Sequence, residues 1–156
     1  MARSGEKWGI FMLTGEYLHS LDSKGRIIIP SKIRSEMGND IVITRGLDGC
    51  LFGYNKEVWT EIIQKLNTLS FTKKDARNFI RFFTSGAVTL EFDKQGRINI
   101  PSFLLDYAKL EEDVIIIGVI NRIEIWSRDK WNDFVNENIE SLSDISENLF
   151  DSSLGL

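Results

Sequence analysis

Residues 22–31, DSKGRIIIPS, return at residues 93–102 as DKQGRINIPS. The match extends outward. Gly15–Ser31 aligns with Gly86–Ser102 without a gap, and Gly15, Asp22, Gly25, Arg26, Ile27, Ile29, Pro30 and Ser31 are identical to their counterparts. After one inserted residue the register resumes. Gly46 then faces Gly118, Leu51 faces Ile123, Tyr54 faces Trp126, Glu57 faces Asp129 and Trp59 faces Trp131. The identities fall at punctuation residues and the apolar positions keep their spacing, as expected of an internal duplication.

Each copy reads alike. Val88–Phe92 alternates apolar and polar, the pattern of a half-buried strand. A turn follows in which Gly25 or Gly96 is free to take positive φ. Ile27–Ile29 and Ile98–Ile100 read as second short strands, each forming a hairpin with the strand before it. Pro30 and Pro101 end these strands and suit the first turn of a helix, over SKIRSEMG and SFLLDYAKL. Ile41–Thr44 and Val114–Ile117 read as buried strands, and Leu51–Tyr54 and Ile123–Trp126 as strands pairing back on them. Asn55 and Ser127 are placed as helix N-caps, with Trp59 and Trp131 on inner helix faces. Phe71–Thr84 reads as a helix between the copies, and the segment after Asn136 as a short helix or loose end. One unit of this size is too small for a comfortable core. Two interlocked around a pseudo-twofold axis share one.

The chain has 156 residues, 42% apolar and 27% charged, the profile of an ordinary globular protein. No apolar run approaches the roughly 18 residues of a membrane span, and residues 1–12 lack a secretory pattern. A single cysteine, Cys50, fits a reducing compartment. The net charge is −4, unevenly spread. Residues 136–156 hold Glu137, Glu140, Asp144, Glu147 and Asp151 and no Lys or Arg. The remainder carries 19 basic and 18 acidic side chains. Such a body binds phosphate only by concentrating its positive charge, or by presenting many copies.

In the repeated turn, Asp comes first and Arg fifth. One account is structural: Asp caps the turn, Gly supplies the left-handed residue, and Arg pairs with Asp. Exposed pairs of that kind add little to stability. The other is functional: Asp fixes Arg so that its fork meets a phosphate or a guanine edge, with Lys24, Lys94 and Gln95 at the tips. Spacing alone leaves both open.

The segments LDSKGRIIIP (21–30), TRGLDGCLFGY (44–54), DARNFIRFFTSGA (75–87), DKQGRINIP (93–101) and NRIEIWS (121–127) resemble the MraZ family of bacterial transcriptional regulators, within the AbrB/SpoVT group of swapped-hairpin DNA-binding folds. The similarity runs from Met12 almost to the end. It implies an α+β, mainly β fold: tandem duplicated swapped-hairpin (AbrB-like, double-split β-barrel) units around a pseudo-twofold axis, with short flanking helices. Unit 1 is expected at 16–58 and unit 2 at 87–130, with connecting helices at 59–86 and a helix and acidic tail at 131–156. The resemblance implies a DNA-binding regulator of the division and cell-wall operon, without enzymatic activity. Its loops would be Asp22, Lys24, Gly25 and Arg26, and Asp93, Lys94, Gln95, Gly96 and Arg97. Implied partners are double-stranded DNA bearing repeated promoter boxes and further copies of the chain in a ring. The implied location is cytoplasmic and nucleoid-associated, with no cofactor. Two departures stand out: residues 1–11 precede the usual family start, and Thr14 stands where the family often has Arg.

Other features read more plainly. Lys73, Arg77 and Arg81 form one helical stripe, taken as a solvated face rather than a second phosphate-contacting or subunit-contacting one. Phe79, Phe82 and Phe83 belong in the core or against a neighbouring protomer. Lys32 and Arg34 have apolar counterparts in Phe103 and Leu105, which argues against a DNA role shared by both copies. His19 reads as a strand side chain, and Cys50 as a small packed residue. One histidine and one cysteine leave little for zinc or thiol catalysis, and Gly46–Gly49 is a turn rather than a phosphate loop. The rival reading is a ring-forming, antitoxin-like interaction module that does not bind DNA, its loops mere turns and its acidic tail the recognition element.

Overall fold

The computed structural model describes residues 12–150; the extra segment before Met12 lies outside them. In chain order the elements are β1 (Glu16–Ser20), β2 (Arg26–Ile28), α1 (Ser31–Met37), β3 (Asp40–Arg45), β4 (Leu51–Tyr54), α2 (Lys56–Leu66) and α3 (Lys74–Ser85). The same order then repeats: β5 (Val88–Glu91), β6 (Arg97–Asn99), α4 (Ser102–Ala108), β7 (Asp113–Val119), β8 (Arg122–Ser127) and α5 (Arg128–Asn138), followed by a 3-10 turn (Ile139–Ser141) and α6 (Leu142–Leu149).

The six longer strands form one antiparallel sheet in the order β1-β7-β8-β4-β3-β5. Exchanging the two copies turns this order into its own reverse, which is the pseudo-twofold expected from the duplication. Each copy lends its first strand to the other. β1 pairs with β7, Glu16 opposite Ile117, and β5 pairs with β3, Val88 opposite Ile43. The short strands β2 and β6 pair only with each other, Ile27 opposite Ile98. The expectation that each copy's second strand forms a ladder with its own first strand is therefore corrected. Only the turn between them is local; both ladders run between copies, as the swapped arrangement requires.

The alternation along the strands builds two apolar layers. Ile41, Ile43, Leu51, Val114, Ile116, Ile123 and Ile125 point inward, where they meet Ile27 and Ile98 of the ribbon and Ile33 and Leu104 of the short helices. Phe52, Tyr54, Ile115, Ile117 and Trp126 point outward and are covered by Val58, Phe83, Trp59, Phe79 and Trp131. All four consecutive residues of β3 from Ile41 to Thr44 are buried, because helices cover the outer side as the ribbon covers the inner. The buried hydroxyl of Thr44 donates to the Phe83 carbonyl at 2.6 Å, tying α3 to the sheet.

Helix boundaries follow local chemistry. Asn55 Oδ1 accepts from Val58 N at 2.8 Å and Ser127 Oγ from Lys130 N at 3.3 Å, the expected caps of α2 and α5. Pro30 and Pro101 occupy the cap positions before α1 and α4, one place earlier than expected. α3 begins at Lys74 rather than Phe71. Thr72 N donates to Ser70 Oγ in the preceding turn, a local bond that competes with helix formation. Of the two places expected for the α3 phenylalanines, core or subunit contact, Phe82 does not take the core: it is 38% exposed, edge-on to Tyr107 and under the Arg45 guanidinium. Cys50 is buried and its thiol donates to the Leu47 carbonyl at 3.1 Å. Burial pushes that thiol up, well away from reactivity. Among the described residues no helix is long and apolar enough to cross a membrane.

Candidate nucleic-acid interface

The two repeated turns fold identically. In the first, Asp22 Oδ1 accepts from the backbone N–H of Lys24 and of Arg26, both at 2.9 Å. Asp22 Oδ2 accepts from Arg26 Nε at 2.7 Å. In the second, Asp93 Oδ1 accepts from Gln95 N and Arg97 N, again both at 2.9 Å, and Asp93 Oδ2 from Arg97 Nε at 2.7 Å. Gly25 and Gly96 sit at φ of 81° and 79°, a conformation that disfavours any other residue. These local bonds set the ionisation. The Arg26 N–H, with the guanidinium and the Lys24 N–H adding to it, holds the Asp22 carboxyl down at about 2. The same donors lower Asp93, led by the Arg97 N–H.

Each arginine is thus held through Nε. Its two terminal nitrogens make no hydrogen bond among the described residues and form a fork able to take a phosphate or a guanine edge. The turns are also clamped across copies. Ile29 N donates to Gly96 O at 3.0 Å, and Ile100 N to Gly25 O at 2.9 Å. The two-stranded ribbon β2/β6 therefore carries one turn at each end. Its alternation sends Ile27 and Ile98 into the core and leaves Arg26, Ile28, Arg97 and Asn99 on the outer side. Arg26 lies opposite Asn99, and Ile28 opposite Arg97. Lys24, Lys94 and Gln95 are exposed at the ends. Of the turn residues named from sequence, Arg26 and Arg97 lie on this outer side, Asp22, Lys24, Asp93, Lys94 and Gln95 lie in the turns at the ribbon's two ends, and Gly25 and Gly96 are buried.

Two neighbours were missed, and a third was weighed from the sequence and set aside. Asn99 and Ile28 lie on the same face at aligned positions, and their mismatch in the repeat hid them. Arg34 is the third. From α1 of the first copy, its Nε donates to Ile29 O at 2.8 Å. Its guanidinium lies so close to Gly96 that a Cβ there would stand 2.5 Å from Arg34 Cζ. The equivalent contact at Gly25 is made by the methyl of Leu105. This agrees with the sequence reading that the two copies share no role at this position: the second loop alone gains a guanidinium. Arg34 also lines an open cleft of about 710 Å³ with Ser31, Asn39, Glu91 and Asp93.

The remaining candidates stand apart. Lys73 precedes α3 at its cap position and Arg77 and Arg81 ride on α3, whose Phe79 and Phe83 pack on the side of the sheet away from the ribbon. His19 is half-buried in β1 opposite Val114, and burial lowers its pKa. No group of three metal-ligating side chains occurs among the described residues.

The model of the family described as "MraZ protein, putative antitoxin-like" matches the chain twice in tandem, at residues 12–82 and 83–153. Each match spans one copy of the duplicated unit, with its own Asp-x-x-x-Arg turn. The chain therefore belongs to the MraZ family, a family of regulator type, and carries two tandem copies of its domain.

Proposed function

We propose that the chain is a sequence-specific DNA-binding transcriptional regulator that reads repeated promoter boxes through the turns Asp22–Arg26 and Asp93–Arg97. The observation that supports it most is the duplicated geometry: two guanidinium groups, each held at Nε by a carboxylate at 2.7 Å, on the outer side of one short ribbon. A two-stranded ribbon fits the major groove, where a fixed arginine fork pairs with guanine and an asparagine with adenine. Lys24, Lys94 and Gln95 then take phosphate contacts that set the register. By family resemblance the target is the operon for division and cell-wall synthesis, and the site of action the nucleoid.

A single protomer offers few cations and binds weakly at physiological salt. A multimeric ring presents many such ribbons, and linked contacts to repeated boxes raise avidity by roughly 10²–10⁴. The antitoxin-like family description supports a second reading, a protein partner held without DNA.

The test replaces Arg26 and Arg97 together by lysine, which keeps charge and loses the fork. Binding to the chain's own promoter boxes is expected to fall towards that of an unrelated duplex. Unchanged discrimination between the two duplexes would sink base reading by these arginines.

A further inference from the structure

The two ends of the β2/β6 ribbon follow one plan but do not carry the same side chains. The repeat aligns Ser31 with Ser102, and so Arg34 with Leu105. Each of these two side chains lies against the turn of the other copy. Leu105 meets Gly25 with a methyl, and Arg34 meets Gly96 with its guanidinium. Each glycine is the buried, left-handed residue just before the turn's arginine. The first end thus has the turn cations Lys24 and Arg26 beside a methyl. The second has Lys94 and Arg97 beside a further cation.

The turn itself does not need that cation. Both turns close with the same three bonds, at 2.9, 2.9 and 2.7 Å, one with leucine behind it and one with arginine. Arg34 is nevertheless held in place. Its Nε donates to the Ile29 carbonyl at 2.8 Å, and Ile29 N donates to Gly96 O at 3.0 Å, so a short chain of bonds ties the guanidinium to the second turn. Its terminal nitrogens make no hydrogen bond and no ion pair among the described residues. The two carboxylates of the open cleft that it lines do not take up its charge. Asp93 turns both oxygens to its own turn. Glu91 is exposed on β5 and pairs with no cation among the described residues. A half-buried guanidinium without an anion is less stable than leucine in the same place, the mark of a side chain that meets a partner from outside.

We propose that Arg34 is a phosphate-binding residue of the second turn: as Arg97 enters the groove, Arg34 takes a phosphate of the flanking DNA backbone. The contact gives the ribbon a direction. Its pseudo-twofold alone fits a duplex equally well either way round; with Arg34 at one end and Leu105 at the other, the Arg97 end is the anchored one. This rests on the DNA-binding reading above and adds one contact to it.

The experiment measures binding of the full-length chain, Arg34→Leu and Arg34→Lys to two duplexes across a salt series. One duplex is the chain's own promoter fragment, the other an unrelated sequence of equal length. Leucine is what the second copy carries at this position, and circular dichroism checks the fold; Arg34→Gln replaces Arg34→Leu if the native spectrum is lost. A phosphate contact carries no sequence information. Arg34→Leu is therefore expected to weaken both duplexes by the same factor, with a log–log salt slope shallower by about 1 for each engaged protomer. Arg34→Lys is expected to hold the parent's slope. A loss confined to the promoter fragment at unchanged slope makes Arg34 a mere brace for Arg97 and overturns the contact. Affinity and slope equal to the parent's on both duplexes overturn it too, as does a lysine variant as shallow as the leucine one. Arg26→Ala/Arg97→Ala in the same series checks the underlying reading. If that variant loses promoter binding while Arg34→Leu matches the parent, the phosphate contact alone falls. If the parent binds neither duplex, the DNA-binding reading falls and this contact with it.

Discussion

Asp22 shows how a local constellation sets a functional state. Three donors from its own turn converge on one carboxylate, so the charged form is favoured although the group is exposed to solvent. Its folded pKa, about 2, lies below the ordinary 3.8. The sign follows: the turn's contribution to stability is complete above the ordinary value and is lost as pH falls through the folded one. A carboxyl chemical-shift titration should therefore find Asp22 ionised at pH 3, with its midpoint near 2, and Asp93 shifted in the same direction. A midpoint at the ordinary carboxylate value would mean that the turn is open in solution and the arginine unheld. This much was legible in the sequence, because every partner lies within five residues. Arg34 was not, because Gly96, which it touches, belongs to the other copy. A contact so far apart along the chain leaves no mark in local spacing.

Elements divide the same way. The caps at Asn55 and Ser127 were readable, since a cap needs only its own helix. Asn55→Ala is expected to cost about 1 kcal/mol in urea unfolding. It also removes the Asn55 Nδ2 bond to the Glu36 carbonyl, at 3.3 Å. Ser127→Ala should cost less, since its cap bond is longer, 3.3 Å against 2.8 Å. Equal stability of Asn55→Ala and the parent would remove the cap from the account. The strands were readable as strands, but alternation fixes a strand's faces without naming its neighbour. β1 followed by a tight turn and β2 satisfies a hairpin pattern equally well. What decided for exchange is that two copies are present, each able to complete the other's sheet. The start of α3 was misplaced for a related reason. Phe71 fits a helical apolar stripe, yet Ser70 and Thr72 bond to each other at 2.7 Å and hold a turn there.

At the scale of the molecule, the exchange predicts that half the chain is not a unit of folding. A fragment of residues 12–85 keeps β3 and β4 but leaves β1 and β2 without their partners β7 and β6. It is expected to fold as a dimer, one copy standing in for the missing half, with a thermal midpoint that rises with concentration. Folding as a monomer with a concentration-independent midpoint would contradict the swapped sheet. Within the whole chain the same exchange places the two arginine turns at opposite ends of one ribbon, and that placement underlies the proposed function. The most direct measurement is binding of the full-length chain and of Arg26→Ala/Arg97→Ala to the chain's own promoter fragment across a salt series. The account predicts steep salt dependence for the parent. The variant should lose most of its affinity while keeping fold and assembly, its log–log salt slope shallower by about 2 for each engaged protomer. Equal affinity and equal slope for the two proteins would contradict it and return the repeated turn to a purely structural role.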